Sequence, residues 1–204
     1  SYFWSMARQP RVEYPGAIYH VMNRGDRREP IVRGATDGEL FVRTLGEACD
    51  KAGWQVHAFC LMPNHFHLVM ETPQPNLCDG MKWFLGTYTN RFNRRHRLFG
   101  HLFSGRYKSL LVDDRDTAYL QTVCQYVHLN PSRAGLIKTT DPLEKHPWSG
   151  YPEYLSPPSR RKPWMRIDRL FGEMGIAKDS AAGRRRFAKA TEMRRFDEDP
   201  EAYA

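Results

Sequence analysis

Hydrophobic and polar positions follow two periods along this chain, one typical of strands and one typical of helices. Alternation with aromatic and β-branched residues predicts strands over 14–23, 54–62, 65–71 and 107–112. Apolar residues at helical spacing predict helices over 37–51 and 76–97, and a third that begins at Asp113, Asp114 and Asp116 and ends near Asn130. The order β-α-β-β-α-β, followed by one added helix, predicts an α+β, ferredoxin-like (RRM-like) fold with an antiparallel sheet.

The amino-acid composition changes along the chain, and these changes predict the domain boundaries. Residues 1–11 are an N-terminal arm, and its first five residues precede Met6, which indicates an expression remnant. Residues 12–155 carry the predicted α+β domain. Residues 156–163 have the proline, serine and arginine content of a linker, and residues 164–204 are predicted to form a basic helical extension.

Positive charge is concentrated in parts of the chain and indicates a nucleic-acid partner. The net charge is +8, and no acidic residue occurs between Asp79 and Asp113. Lysine and arginine neutralise phosphates, whereas the aromatic residues in the same window could either stack on unpaired bases or belong to the core. The predicted DNA contacts are Arg24, Arg27, Arg28, Lys82, Arg91, Arg94, Arg95, Arg106, Lys108, Arg184, Arg185 and Arg186.

Two further features of the composition limit the environment of the protein. The four cysteines include no Cys-x-x-Cys pair, so in a reducing cytoplasm they are interpreted as small hydrophobic residues and not as a disulfide or zinc framework. No apolar run approaches the roughly 20 residues that span a bilayer, so no membrane partner is expected.

His65 and His67 are the first candidates for chemistry, because alternate residues of a strand share one face. Such a pair can bind a metal, although two hydrogen-bonded histidines on a half-exposed strand would give the same pattern. Tyr126 and Asn130 are helix neighbours at i and i+4 and could add a phenol and a carboxamide oxygen to this site. Asn130 precedes a proline and could instead cap the helix. Tyr119 lies two turns before Tyr126 and is interpreted as a packing residue.

These residues fall in motifs that resemble the REP-associated branch of the single-tyrosine, IS200-like transposases, which share a His-hydrophobe-His signature. The motifs are Pro-Asn-His-Phe-His-Leu-Val (63–69), Tyr-His-Val-Met-Asn-Arg-Gly (19–25), Gly-Arg-Tyr-Lys (105–108), Tyr-Val-His-Leu-Asn-Pro-Ser-Arg-Ala-Gly-Leu (126–136) and Pro-Trp-Ser-Gly-Tyr (147–151). Many relatives have valine where this chain has Ser132 and serine where it has Gly150. The resemblance covers about residues 12–155.

The resemblance implies a metal-dependent endonuclease and strand transferase that acts on single-stranded DNA. It implies Mg²⁺ or Mn²⁺ at His65, His67 and Asn130, Tyr126 as the nucleophile that forms a 5′-phosphotyrosine, and hairpin-forming repetitive extragenic palindromes (REP) as substrate. A monomer is expected, with a dimer as the alternative. Two other functions fit the same residues: a non-catalytic binding module for single-stranded DNA or RNA, and a nuclease that uses water as nucleophile.

Overall fold

A four-stranded antiparallel sheet forms the centre of the protein. The computed structural model describes residues 11–112 and 117–198, so the predicted helix start at Asp113, Asp114 and Asp116 lies outside the described residues. The strands are β1 (Ala17–Arg24), β2 (Gln55–Leu61), β3 (His65–Thr72) and β4 (Lys108–Leu111). Their order β2-β3-β1-β4 is the split βαβ arrangement, and it confirms the predicted α+β class.

Helices cover both faces of the sheet. Two long helices, α1 (Ala35–Ala52) and α2 (Leu77–His96), pack on one face against side chains such as Val21, Phe66 and Leu68. The other face carries Ile18, Ala58 and Val69 and is partly covered by α3 (Thr117–Arg133). Because strand side chains alternate, His20, His65 and His67 belong to the face that α3 covers.

The C-terminal extension is part of the same core as α3. It contains α5 (Asp168–Glu173) and α6 (Ala181–Glu198), and α4 (Tyr151–Leu155) precedes it at the end of the predicted α+β domain. Tyr154, Leu170, Phe171 and Phe187 from these helices pack with Cys124 of α3 in one buried cluster. The residues 156–163 include a 3-10 turn, and the Arg161 guanidinium donates hydrogen bonds to the carbonyl oxygens of Glu153 and Ser156.

The free edge of β2 is closed by two segments of the C-terminal region. The Leu61 and Gly150 amides donate to the carbonyls of Trp148 and Phe59, and the Arg166 amide donates to Val56. These bonds satisfy backbone groups that an edge strand would otherwise expose.

Three boundaries differ from the sequence prediction for identifiable reasons. β1 begins at Ala17 because Gly16 adopts a left-handed conformation at φ +78 that ends the preceding turn. α3 continues through Pro131 to Arg133, since a proline in the last turn removes only one helical hydrogen bond. The extension forms two helices because Gly175, at φ +67, interrupts it. No helix among the described residues has the length and apolar content to cross a membrane.

Candidate active site

His65 and His67 lie on the face under α3, and each has its Nδ1 atom in a hydrogen bond. The ring centroids are 5.3 Å apart, and the His65 Nδ1 atom lies 2.8 Å from the Asn64 side-chain oxygen. The His67 Nδ1 atom lies 2.9 Å from the Nε2 atom of His20. With both Nδ1 atoms engaged, each imidazole has its Nε2 atom available as a ligand.

His20 is a component of the site that the sequence did not single out. It lies on β1, is 7% exposed, and its ring stacks on that of His67 at a centroid distance of 5.2 Å. Burial lowers the pKa of His20 to about 4. Burial, together with His20, His65 and Arg24, lowers the pKa of His67 to about 3. At neutral pH both rings are therefore uncharged, which is the form that binds metals.

Tyr126 of α3 stands over these histidines. Its ring meets His67 edge-on at 5.7 Å and His20 at 6.0 Å, and the residue is 40% exposed. The Arg133 guanidinium lies 4.8 Å from the centre of the same ring and donates to the Tyr126 carbonyl. Glu198, at the end of α6, holds Arg133 at 2.6 Å. The Tyr126 ring is thus positioned by the two histidines and by Arg133, and the residue remains accessible to solvent.

Asn130 lies one helical turn after Tyr126 and inside α3, so it does not cap the helix. The residue is 8% exposed, and its buried Nδ2 atom has no hydrogen-bond partner among the described residues. A buried amide nitrogen without an acceptor is costly unless water or a ligand oxygen, such as that of a phosphate, accepts its hydrogen bond. No three His, Cys, Asp or Glu side chains within 11–112 and 117–198 form a metal site by themselves.

A cleft of about 320 Å³ opens beside His65 and His67 and contains three of the predicted DNA contacts. Its lining combines the two histidines with the cations Arg24, Arg106 and Lys108, together with Met22, Asn23 and Ser104. Lys82 lines a neighbouring pocket that shares Arg106. Arg27 and Arg28 lie in the exposed turn directly after β1.

The other predicted DNA contacts lie away from Tyr126. Arg91, Arg94 and Arg95 line a groove between α1 and α2, on the opposite face of the sheet, where Arg91 pairs with Glu47 at 2.8 Å and Arg95 with Asp37 at 3.1 Å. On α6, Arg184 pairs with Asp179 at 2.7 Å and Arg186 donates to the Gly175 carbonyl. Arg185 precedes Glu198 by 13 helical residues, about 20 Å along the axis.

His20 and Arg133 both lie in motifs that the sequence analysis quoted, so a signal for them existed. Strand alternation places His20 on one face of β1. The register of β1 on β3, in which Met22 pairs with His67, is needed to place His20 beside β3. Arg133 is seven residues after Tyr126, a spacing that returns to the same side of a helix.

Comparison with known proteins gives one family and several similar structures, including the following two. Residues 13–130 match the family described as "Transposase IS200 like". A REP-associated tyrosine transposase bound to a REP hairpin has the same fold, with a TM-score of 0.58, 14% identity, and coverage of 71% of this chain and 82% of that one. A candidate transposase from Deinococcus radiodurans R1 has a TM-score of 0.40 at 23% identity and covers 56% of this chain and 93% of its own. No curated protein matches.

Proposed function

Because the chain belongs to the family of IS200-like transposases, and is therefore a DNA transposase, we propose that Tyr126 is the nucleophile that cleaves and rejoins its DNA. The observation that carries this proposal is the position of the accessible Tyr126 ring, edge-on to His67 and His20 beside a cationic cleft. Tyr119 is also exposed, but no contact joins it to these histidines in the described residues.

The reaction exchanges one phosphate ester for another. The Tyr126 oxygen forms a bond to phosphorus, the bond to the 3′ oxygen breaks, and a 5′-phosphotyrosine and a free 3′-hydroxyl result. The phenol releases its proton to solvent, which reaches the exposed Tyr126. The 3′ oxygen takes up a proton from solvent. Attack by a 3′-hydroxyl on the phosphotyrosine reverses these steps without ATP.

The residues of the site fit a divalent cation, Mg²⁺ or Mn²⁺. His65 and His67 would supply their Nε2 atoms, and Asn130 would supply its carboxamide oxygen, since no third His, Cys, Asp or Glu completes the set in the described residues. When bound, such a cation polarises the scissile phosphate. When the His67 Nδ1–H donates to the His20 Nε2 atom, 2.9 Å away, the Nε2 atom of His67 keeps its electron pair for the cation.

We propose single-stranded DNA with a hairpin as the substrate, handled by a monomer in the cytoplasm. The same fold binds a REP hairpin in the structural relative, and the motifs of this chain resemble that branch. Arg24, Arg106 and Lys108 would hold the backbone of a strand in the cleft. An RNA-binding module of this fold would carry aromatic side chains where β1 and β3 carry His20, Met22, His65 and His67, so the binding-only alternative is less well supported.

A covalent adduct is the measurement that tests this proposal. Wild-type protein incubated with a labelled hairpin oligonucleotide and Mn²⁺ should give a protein–DNA adduct on a denaturing gel. Tyr126→Phe should give none while its DNA affinity changes less than about twofold, because only the nucleophilic oxygen is lost. Tyr119→Phe is the matched control and should form the adduct. An adduct that persists in Tyr126→Phe would assign the nucleophile elsewhere.

A further inference from the structure

One aromatic residue of the basic window, the segment 80–112 that contains no acidic residue, is almost fully exposed. Phe99 has 98% of its surface accessible. The other aromatic residues of this window are buried or half-buried and pack in the core: Trp83, Phe84, Tyr88, Phe92, Phe103 and Tyr107. The structure thus separates one aromatic side chain, available for a ligand, from those that hold the fold.

The loop that carries Phe99 is held in place by the end of α2. The Leu98 amide donates to the Asn93 carbonyl at 2.9 Å, and the Asn93 side-chain amide donates to the Gly100 carbonyl at 3.0 Å. Gly100 adopts φ +88, a conformation that favours glycine and completes the turn. A ring presented by an ordered loop loses little entropy when it binds a partner.

Hydrogen bonds join this loop to the wall of the cleft. The Asp26 amide donates to the Leu102 carbonyl at 2.9 Å, and the Ser104 amide donates to the Arg24 carbonyl at 2.8 Å. Arg24 and Ser104 line the cleft with His65 and His67. Arg97 and His101, which flank Phe99, are exposed, and the whole segment from 80 to 112 contains no acidic residue.

We propose that Phe99 stacks on an unpaired nucleobase of the DNA strand that enters the cleft. A base offers an aromatic face whatever its identity, and the cations around the loop complement the adjoining phosphates. An exposed phenylalanine beside the exposed Arg97, in a segment without acidic residues, suits an apolar protein partner less well, because docking would desolvate that charge. The inference rests on the proposed action on single-stranded DNA and assigns one of its contacts.

Fluorescence anisotropy with two labelled strands tests the stacking. One is an oligothymidylate of roughly 20 nucleotides, and the other is an abasic strand with the same number of phosphates. Phe99→Ala should weaken binding of the oligothymidylate by about tenfold and leave binding of the abasic strand unchanged. Phe99→Trp should retain the wild-type affinity. Phe99→Leu should lose as much as the alanine variant.

Three outcomes would overturn the inference. These are equal losses on both strands, full affinity in Phe99→Leu, and unchanged DNA affinity accompanied by altered self-association. Leu98→Ala is the matched control on the same loop and should leave the preference for bases unchanged. The binding assay involves no cleavage, so failure of Tyr126 as nucleophile leaves it interpretable. A wild-type protein that binds neither strand at low salt would contradict both proposals.

Discussion

At the scale of single residues, the hydrogen bond between His20 and His67 determines which imidazole nitrogen faces the cleft. The His67 Nδ1 atom lies 2.9 Å from the His20 Nε2 atom, and in the tautomer that donates from Nδ1 to His20 the His67 Nε2 atom is the electron-pair donor. Asn64 does the same for His65 at 2.8 Å. Such outer partners orient metal ligands, and their loss usually weakens metal binding.

His20→Leu should therefore weaken Mn²⁺ binding by about 10- to 100-fold. His67→Ala should weaken it further, because a ligand is lost rather than its orientation. Electron paramagnetic resonance of free Mn²⁺ measures this without any cleavage reaction. His128→Leu is the matched control, since His128 is also buried but packs among aromatic rings of α4 and α6. Unchanged Mn²⁺ affinity in His20→Leu would show that His20 does not orient His67.

His128 should make the fold sensitive to acid. It is 1% exposed, has no hydrogen-bond partner among the described residues, and burial lowers its pKa to about 3. In the unfolded chain the pKa is about 6.5, so between these values the unfolded state binds a proton that the folded state excludes. Stability should therefore fall as the pH drops below about 6.5, by roughly 2 kcal/mol from this group at pH 5.

Urea unfolding at pH 7 and pH 5 measures this loss for the wild-type protein. His128→Leu should reduce the difference between the two pH values by about that amount, whereas His101→Ala, at an exposed site, should not. A full-sized acid loss in His128→Leu would assign the sensitivity to other groups, such as His20 and His67.

At the scale of elements, glycines on α1 and α2 make room for tryptophan rings. A Cβ atom at Gly38 or Gly46 of α1 would lie 2.4 Å from Trp148 or 2.8 Å from Trp164, both in the C-terminal region. A Cβ atom at Gly80 of α2 would lie 2.1 Å from the Trp54 ring. The contacts of Gly38 and Gly46 join the C-terminal region to α1 and so connect both faces of the sheet.

Two glycines of α2 should respond in opposite directions to alanine. Gly80→Ala should destabilise the protein by about 1–3 kcal/mol, because Trp54 is 2% exposed and its indole N–H is bonded to Asn76 at 2.8 Å. Gly86→Ala, where nothing lies within 4 Å, should stabilise it by about 0.5–1 kcal/mol through helix propensity. Urea titrations of both variants measure these effects. Equal effects at the two positions would contradict the close packing of α2 on Trp54.

At the scale of the whole molecule, the two faces of the sheet carry different kinds of positive charge. The face with the histidines has Arg24, Arg106 and Lys108 around the cleft. On the opposite face, Arg91 and Arg95 form ion pairs with carboxylates of α1. Cations that already have anionic partners have less to gain from a phosphate, so the cleft should account for most DNA binding.

The salt dependence of binding tests this difference between the faces. Replacing both Arg106 and Lys108 with glutamine should lower the slope of log affinity against log salt by about 1.4, since each phosphate contact of a single strand contributes about 0.7. Replacing Arg43 and Arg94, exposed residues of the groove between α1 and α2, is the matched control and should leave the slope unchanged. Equal reductions would mean that DNA contacts both faces.

The sequence alone determined the elements and the local pairs of the candidate site. Alternation put His65 and His67 on one face of a strand, and helical spacing put Asn130 one turn after Tyr126. These relations span at most a few residues, so backbone geometry suffices to predict them. The number of strands and their succession with the helices along the chain followed in the same way from the spacing of the apolar runs.

Only the tertiary structure decided which distant residues meet. His20 and His67 are separated by 47 positions and meet through the register of β1 on β3. Phe92 and Phe99 belong to the same basic window, yet one is buried and the other is exposed because α2 ends between them. Such placements depend on how helices and strands pack across the whole chain, and the local periodicity of a sequence does not contain that information.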